Sequence, residues 1–528
     1  MKRPATRAER TAFAETSHYA DVIAFLDSLP KQGAPIYRTV LGTSPEGRSI
    51  PMVVLSRPLV TSPAEAHATH RPIVYVQANI HAGEVEGKEA LLELIRNLLA
   101  VRPPSVLDSV VLIAVPIYNA DGNEKLAPQA ANRGEQNGPE MVGERANGQG
   151  LDLNRDYVKG EAPETRASLA VINAWDPDVF VDLHTTDGSF HGYALTYSPS
   201  LNPAALFGGR YARDSMLPAI RVRMKERHNY LTFDYGNFSL EYGADVNTDT
   251  IKQGWYTYDA RPRFGTNYVG LRGRIAILAE GYSHDPYDRR IASMYYFVRE
   301  ILSYAATNGK AIVALSKRAD SSVVAWGASP SASPLLSLRS TLALSPHDDS
   351  VISEDLARTG DSALTQPGVP RGLMRTGHFR TQLMPVYVSF EPTLSRRLPY
   401  AYAVPAGDSA AVRVLRMHGV RLESLAHALP VPVQAYAVDS VHHAERPFQG
   451  HHEASLTGRW HDSTATLPAG TVIVRTAQPL GVVAFYLLEP ESDDGLTTWN
   501  FFDASLAPAR AYPVLRIPES VAGLNEAR

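Results

Sequence analysis

The sequence predicts an α/β protein with a mixed central sheet flanked by helices, followed by a second, β-rich C-terminal domain. Nearly continuous apolar runs, such as Pro72–Ile80 and Val110–Ile117, are typical of strands that are buried on both faces. Helical patterns alternate with these runs, which favours a sheet covered by helices. Because 528 residues exceed what one compact core accommodates, we expect at least two domains.

The elements of the first domain can be justified in chain order. Residues 17–30 predict a helix with Ser17 as its cap and Pro30 as its stop. Val85–Leu99 predicts an amphipathic helix, because its leucines and Ile95 recur on one face. The remaining predictions are strands at Ile36–Leu41, Ile50–Leu55, Pro72–Ile80, Val110–Ile117, Val179–Leu183 and Arg274–Leu278, and a helix at Tyr287–Ala306.

A change of composition divides the chain. The segment Trp326–Pro334 is rich in Gly, Ser and Pro, so we predict a first domain over 1–320, a linker over 321–335 and a β-rich domain over 336–528. The predicted strands of the last domain are Met384–Phe390, Val431–Val438, Thr471–Thr476 and Val482–Leu488, with one helix at Ala410–His418.

Composition excludes several classes of function. The net charge of −4 gives no reason to expect a nucleic acid or an anionic membrane as partner, and no apolar run reaches the length of a membrane span. The absence of cysteine excludes disulfides and thiolate metal ligands. The basic N-terminus has no apolar segment after it, so we expect no signal peptide and a cytoplasmic location, or a periplasmic or secreted one if the chain is a trimmed form. The oligomeric state stays open.

Three residues at predicted strand ends could hold one metal ion. His81 and Glu84 follow the strand Pro72–Ile80, and His184 ends the strand at 179–183. In open α/β sheets, functional sites collect at the carboxyl ends of strands. A His, Glu, His set with an open fourth position is what a catalytic zinc requires. Taken singly, each residue is more simply explained as a polar group at the end of a strand.

A polar loop and a lone glutamate add to this set. Asn154 and Arg155 supply amide and guanidinium donors that suit a carboxylate, and Asp152 could fix the tautomer of a ligand histidine. Arg145 is a further cation near this loop, although a salt-bridged surface loop is the simpler explanation for the group. Glu280 directly follows a buried strand, where a carboxylate is costly unless it is paired or acts as a general base.

These motifs resemble the zinc metallocarboxypeptidase family, the carboxypeptidase A and D type, over roughly residues 17–310. The segment Pro116–Gly122 also resembles a family segment, with Ala120 in place of its second Pro. The resemblance implies a carboxypeptidase-like fold, one zinc ion per chain and a peptide substrate with a free C-terminus. It implies zinc ligands at His81, Glu84 and His184, a carboxylate clamp at Asn154 and Arg155, a carbonyl-polarising Arg145 and a catalytic Glu280.

The resemblance also implies a tyrosine that closes over the substrate. Tyr258 has the family's spacing to the glutamate, with Tyr256 and Tyr268 as rivals. The family's specificity position falls near Arg261 and Arg263, which could favour an acidic terminal residue, although a structural salt bridge is the commoner role for such a pair. The histidines at 442–443 and 451–452 form no ordered ligand pattern, and we predict a solvated loop there, with a second metal site as the lesser alternative.

Two other functions remain open from sequence. An amide or ester deacylase of the aspartoacylase type would share the zinc and arginine pattern and act on N-acyl amino acids. A non-catalytic binding protein could keep the fold, although such relatives typically lose the glutamate that is present here as Glu280. The β-rich domain could bind substrate, cover the site or mediate dimers.

Overall fold

The structure is a computed structural model that describes residues 4–29, 35–238, 253–360, 366 and 368–524. The helices of the first half are α1 Arg7–Arg10, α2 Tyr19–Ser28, α3 Pro63–Ala68, α4 Glu86–Ala100, α5 Ala120–Glu124, α6 Gln129–Asn132, α7 Pro163–Trp175, α8 Gly208–Tyr211, α9 Leu217–His228, α10 Gly265–Leu271 and α11 Tyr287–Ala328. Its strands are β1 Ile36–Thr43, β2 Ser49–Leu55, β3 Ile73–Ala78, β4 Val111–Val115, β5 Ala127–Pro128, β6 Met141–Val142, β7 Val179–Thr185, β8 Leu195–Pro199, β9 Thr232–Asp234, β10 Trp255–Tyr256 and β11 Ile275–Gly281.

The second half is mainly β-structure. Its strands are β12 Leu336–Ala343, β13 Asp349–Arg358, β14 Leu373–Met384, β15 Val386–Tyr387, β16 Ser389–Arg396, β17 Ala401–Val404, β18 Glu423–Ser424, β19 Leu429–His443, β20 Ala454–Leu467, β21 Val472–Arg475 and β22 Leu515–Ile517. Its helices are α12 Ser409–Met417 and α13 Gly481–Leu488. Six of these strands form one sheet in the order β18-β21-β17-β22-β19-β20.

The central sheet of the first half is mixed, as the sequence predicted. Its strand order is β1-β2-β4-β3-β7-β11-β8-β9. The four middle strands β4, β3, β7 and β11 run parallel, and β2 and β8 flank them in the antiparallel sense. Every residue of β3, β4, β7 and β11 is buried, which explains their nearly continuous apolar sequences. Across the described residues, no helix is both long and apolar enough to cross a membrane.

Two local predictions needed correction. Helix α2 begins at Tyr19 with His18 as its N-cap, because the Ser17 hydroxyl is already used to donate to the Glu89 carboxylate at 2.9 Å. The predicted stop at Pro30 lies outside the described residues. The run at 482–488, predicted as a strand, is helix α13. All eight residues of α13 are buried, and a run that is apolar on every side gives no periodicity to separate a helix from a strand.

The predicted linker over 321–335 is helical in its first part. Helix α11 continues to Ala328, well past the predicted end at Ala306. Ala319 and Val323 are buried on this extension, and the Gly327 Cα lies so close to Thr476 and Ala477 that a Cβ would not fit. The end of the extension is therefore held in helical form by the second half of the chain, although the Gly-, Ser- and Pro-rich segment already begins at Trp326.

One hydrophobic core joins the two halves. The same cluster of buried residues contains Tyr75 and Phe180 from the central sheet, Val323 from α11, and Tyr402 and Phe485 from the second half. Because apolar side chains of both halves remove each other from water, we expect the halves to unfold together.

Replacing Phe485 by alanine tests this shared core. The side chain is fully buried, so its loss should lower the free energy of unfolding by about 3–5 kcal/mol. Urea unfolding followed by far-UV circular dichroism should show one transition that moves to lower urea. A matched change at the exposed Phe379, which is 49% exposed, should leave the transition in place. Two separate transitions in the wild-type protein would contradict the shared core.

Candidate active site

The central parallel strands bring four of the predicted site residues to one edge of the sheet. Strands β3, β7 and β11 are neighbours, so their carboxyl ends meet there. His184 on β7 and Glu280 on β11 are paired in register. His81 and Glu84 lie in the turn after β3, which starts with Asn79 at a φ of +64°. The sharp turn at Asn79 folds the chain back toward the strand ends.

His81, Glu84 and His184 form a compact, buried group. One ligand atom from each lies within 4.8 Å of the others. The Nδ1 atoms of His81 and His184 are 2.9 and 3.0 Å from the two oxygens of Glu84. Although burial alone would raise it, His81 and Arg133 hold the pKa of the Glu84 carboxyl well below its usual range. Two imidazoles and one ionised carboxylate thus face a common point.

Two aspartates contact the two histidines on the side opposite to Glu84. The Nε2 atom of His81 lies 3.1 Å from Asp152, and that of His184 lies 3.2 Å from Asp182. Although burial opposes it, the charges of His81 and Arg145 hold the pKa of the Asp152 carboxyl well below its usual range. These contacts fix the ring orientation and leave the Nδ1 atom of each histidine facing the common point.

A cavity of about 270 Å³ opens over this group. Its lining includes all nine residues predicted from sequence: His81, Glu84, Arg145, Asp152, Asn154, Arg155, His184, Tyr258 and Glu280. They come from strand ends and loops that are far apart in sequence. The structure therefore brings the whole predicted site together in one concave pocket, which is the usual form of a small-molecule or peptide-end site.

Arg155 and Asn154 are held in place by contacts with Phe264 and Gly265. The Arg155 guanidinium lies over the Phe264 ring at 4.0 Å, and its Nη1 donates to the Asn154 carbonyl at 2.9 Å. The Asn154 Oδ1 accepts from the Gly265 backbone N–H at 2.9 Å. Among the described residues, the contacts of the Arg155 guanidinium are with the Phe264 ring and the Asn154 carbonyl, and neither is a carboxylate. The guanidinium is thus oriented toward the cavity with its charge available to a bound anion.

Arg145 lies between Glu84 and Asp152. It lies 2.9 Å from the Asp152 carboxylate and 3.6 Å from Glu84, and 40% of its side chain is exposed. The Asp152 contact fixes its direction at the cavity edge. It can therefore donate to an oxygen atom in the cavity without leaving a buried charge unpaired.

Glu280 faces the cavity with one oxygen unsatisfied. Its side chain is 6% exposed, and its Oε2 atom has no hydrogen-bond partner among the described residues. Burial raises the pKa of the Glu280 carboxyl well above its usual range; the charge of His184 opposes this and that of Glu84 adds to it. A carboxyl in this position can accept or donate a proton within the cavity.

Of the three tyrosines that the sequence offered, only Tyr258 lines the cavity. Tyr258 lines the cavity and packs against Tyr235 and Phe264, with ring centroids 5.7 and 5.2 Å away. Tyr256 is stacked on Tyr387, and the hydroxyl of Tyr268 is bonded to His418. Neither rival belongs to the cavity lining.

Arg261 and Arg263 have structural partners. Arg261 pairs with Asp259 at 2.5 Å, and Arg263 is buried with Asp494 at 2.8 Å and Glu453 at 2.5 Å. Neither arginine belongs to the cavity lining. The structure thus gives them the salt-bridge role, which was the alternative to substrate selection.

The C-terminal histidines do not form a metal site within the described residues. The His81, Glu84 and His184 group is the one set of metal-ligating side chains found there. The prediction of a solvated loop was wrong for His451, because its Nε2 lies 2.8 Å from Glu161 of the first half and its side chain is 19% exposed. No sequence signal pointed to this contact.

Several lining or supporting residues were missed from sequence. Arg133 lies 3.0 Å from Glu84 and donates to the carbonyls of Thr185 and Thr186 at 2.6 and 2.9 Å. No motif surrounds it, so sequence gave no signal. Asp182 could have been found, because residues two apart on a strand point to the same face, which places it beside His184.

One protein family matches much of the first half of this chain. The family described as zinc carboxypeptidase matches residues 22–261. The chain is similar to carboxypeptidase 2 of Trichophyton tonsurans, with 22% identity over 90% of this chain and 81% of that protein. It is also similar to human carboxypeptidase Z, with 30% identity over 28% of this chain and 22% of that protein.

Solved structures show the same kind of likeness. A metallo-carboxypeptidase from Burkholderia cenocepacia is 18% identical, with 55% of this chain and 69% of that chain covered and a TM-score of 0.41. The carboxypeptidase A of Helicoverpa armigera is 17% identical, with 58% of this chain and 78% of that chain covered and a TM-score of 0.40.

Proposed function

Because residues 22–261 belong to the zinc carboxypeptidase family, we propose that the chain is a zinc-dependent metallocarboxypeptidase that removes the C-terminal residue of a peptide. The observation that carries the proposal is the shared cavity. It places the His81, Glu84 and His184 group beside Glu280 and the cationic pair Arg145 and Arg155.

The residues present fit one zinc ion. Two imidazole Nδ1 atoms and one carboxylate within 4.8 Å provide three hard or borderline ligands, and the cavity leaves room for a fourth. Zinc bound at such a site acts as a Lewis acid that activates water and polarises a carbonyl group. Asp152 and Asp182 would keep the two histidines in ligand orientation.

The remaining roles follow from where each side chain lies. Asn154 and Arg155 would bind the terminal carboxylate of the peptide, since Arg matches a carboxylate with two parallel hydrogen bonds. Glu280 would take a proton from the attacking water and pass it to the amine nitrogen as the C–N bond breaks. Arg145 would donate to the carbonyl oxygen, on which negative charge develops. Tyr258 would close the cavity over the bound peptide end.

Replacing Asp182 by asparagine should weaken zinc binding by about 10–100-fold, because the amide is a poorer partner for the His184 imidazole. Competition with a chelating dye measures the affinity directly. The matched control is Asp178→Asn on the approach to the same strand, whose carboxylate caps the Ile73 backbone N–H outside the cavity. Equal zinc affinity in the wild type and Asp182→Asn would refute the orienting role.

A metal assay combined with a peptide-library digest tests the proposed function. We expect about one zinc per chain and stepwise loss of C-terminal residues from peptides with a free carboxylate. N-acyl amino acids should be poor substrates by comparison. Faster cleavage of N-acyl amino acids would favour the deacylase, and a metal-free protein without hydrolytic activity would favour a binding protein.

A further inference from the structure

One wall of the cavity comes from the second half of the chain. Among the described residues that line the cavity, Phe448 alone lies beyond residue 280. It sits at the tip of the connection between β19 and β20, which we call the 448–451 hairpin. The side chain is 37% exposed, so part of the ring is accessible to a molecule in the cavity.

The hairpin has a fixed shape. The backbones of Phe448 and His451 exchange two hydrogen bonds, at 2.8 and 3.0 Å. The two residues between them, Gln449 and Gly450, have φ angles of +50° and +82°. Positive φ at both central residues is the geometry of a tight two-residue turn that matches the twist of its flanking strands. Phe448 is therefore presented from a closed turn.

The tip of the hairpin is bonded to the loop that carries the zinc-orienting aspartate. The Gln449 Oε1 accepts from the Asp152 backbone N–H at 2.9 Å. The Asp152 side chain in turn contacts His81 and Arg145. Phe448 is thus held at a set position beside the residues proposed to polarise the substrate carbonyl.

The base of the hairpin is anchored by charge. His451 lies between Glu161 at 2.8 Å and the Asn500 side chain at 3.1 Å. Glu453 pairs with the buried Arg263, which directly precedes the Phe264 ring that supports Arg155. The Arg263 guanidinium also lies 5.4 Å from the Phe448 ring. These contacts tie the hairpin to the carboxylate-clamp side of the cavity.

We propose that the 448–451 hairpin is a preformed wall of the substrate cavity and that Phe448 is a specificity-determining residue, which favours peptides with a large apolar side chain next to the scissile bond. This inference rests on the proposed peptidase function. A partly exposed ring on a rigid turn offers apolar contact area at little entropic cost, and such contact discriminates between side chains of different size. The second half of the chain therefore takes part in substrate selection.

Paired substrates test the wall. In the zinc-loaded full chain, kcat/KM is measured for peptides that carry Phe or Ala at the last position, and for a second pair that differs at the penultimate position. For Phe448→Ala, the Phe-to-Ala ratio should fall about tenfold in one of the two pairs, which identifies the residue that contacts the wall. Phe448→Trp should change the Phe-to-Ala ratio of kcat/KM in the same pair. The control Phe379→Ala should change the ratio in neither pair.

Measuring peptide binding without cleavage tests the role of Phe448 independently of the proposed peptidase activity. In the Glu280→Gln background, calorimetry with the same uncut peptides should show the same loss of preference on Phe448→Ala. If the wild type cleaves no peptide end, the proposed function fails, whereas a shifted binding preference would still support the wall. An unchanged Phe-to-Ala ratio in both cleavage and binding, with zinc content and unfolding temperature as in the wild type, would overturn the role of Phe448.

Discussion

Replacing Glu280 by glutamine is expected to lower kcat by about 10²–10⁴-fold while zinc stays bound. The glutamine keeps the size of the side chain but cannot take up the proton of the attacking water. The three proposed metal ligands are separate residues, so the metal content should not change. Turnover of a peptide with a free C-terminus and zinc content by atomic absorption are the two measurements.

A buried glutamate outside the cavity provides the control. Glu300 on α11 is 4% exposed and pairs with His228 and Arg227, so Glu300→Gln removes a comparable buried charge outside the cavity lining. It should leave kcat within about twofold even if it lowers stability. Full activity of Glu280→Gln would exclude the proposed mechanism, and loss of zinc would assign Glu280 to the metal site instead.

Replacing Arg155 by alanine is expected to lower kcat/KM by about 10²–10³-fold, since removal of one partner from a charge-assisted contact in a confined site costs several kcal/mol. The loss should depend on the carboxylate of the substrate. Peptides with a C-terminal amide should be poor substrates for the wild-type protein and should be no worse for Arg155→Ala. This non-additivity identifies the two groups as partners.

Two further variants sharpen the interpretation. Arg155→Lys keeps the charge but loses the planar fork, so it should recover only part of the activity. Arg261→Ala removes an arginine that is paired with Asp259 outside the cavity lining, and it should spare the preference for a free carboxylate. If Arg155→Ala preferred peptides with a free C-terminal carboxylate over C-terminal amides as strongly as the wild type does, the substrate carboxylate would have to be bound by other residues.

The central sheet was predictable because its strands are buried on both faces. Pro72–Ile80 and Val110–Ile117 are nearly continuously apolar and short enough to exclude long helices, and they contain β3 and β4. The same signal failed at 482–488, where an equally apolar run is helix α13. A different signal, the Gly, Ser and Pro content of 326–334, also misled, because residues 321–328 of the predicted linker are helical and Gly327 packs closely against Thr476 and Ala477.

The site was predictable where its residues occupy strand ends. His81, His184 and Glu280 each follow an apolar run, so their sequence positions implied that they would meet. Arg133 and Phe448 gave no such signal, because each lies in a loop whose place is set by tertiary contacts. Local sequence carries information about elements, but long-range contacts decide which loops reach an element's end.

Because the 448–451 hairpin lies far beyond Glu280 in sequence, it is synthesised later than the residues at the strand ends. A ribosome adds about 5–20 residues per second, so Phe448 emerges on the order of ten to thirty seconds after Glu280. Until then the cavity lacks its 448–451 wall, and the core face that receives Phe485 has no cover. The nascent chain therefore carries every proposed ligand and the proposed base before it can complete its pocket, and the proposed selectivity requires that residues 448–451 have emerged and folded.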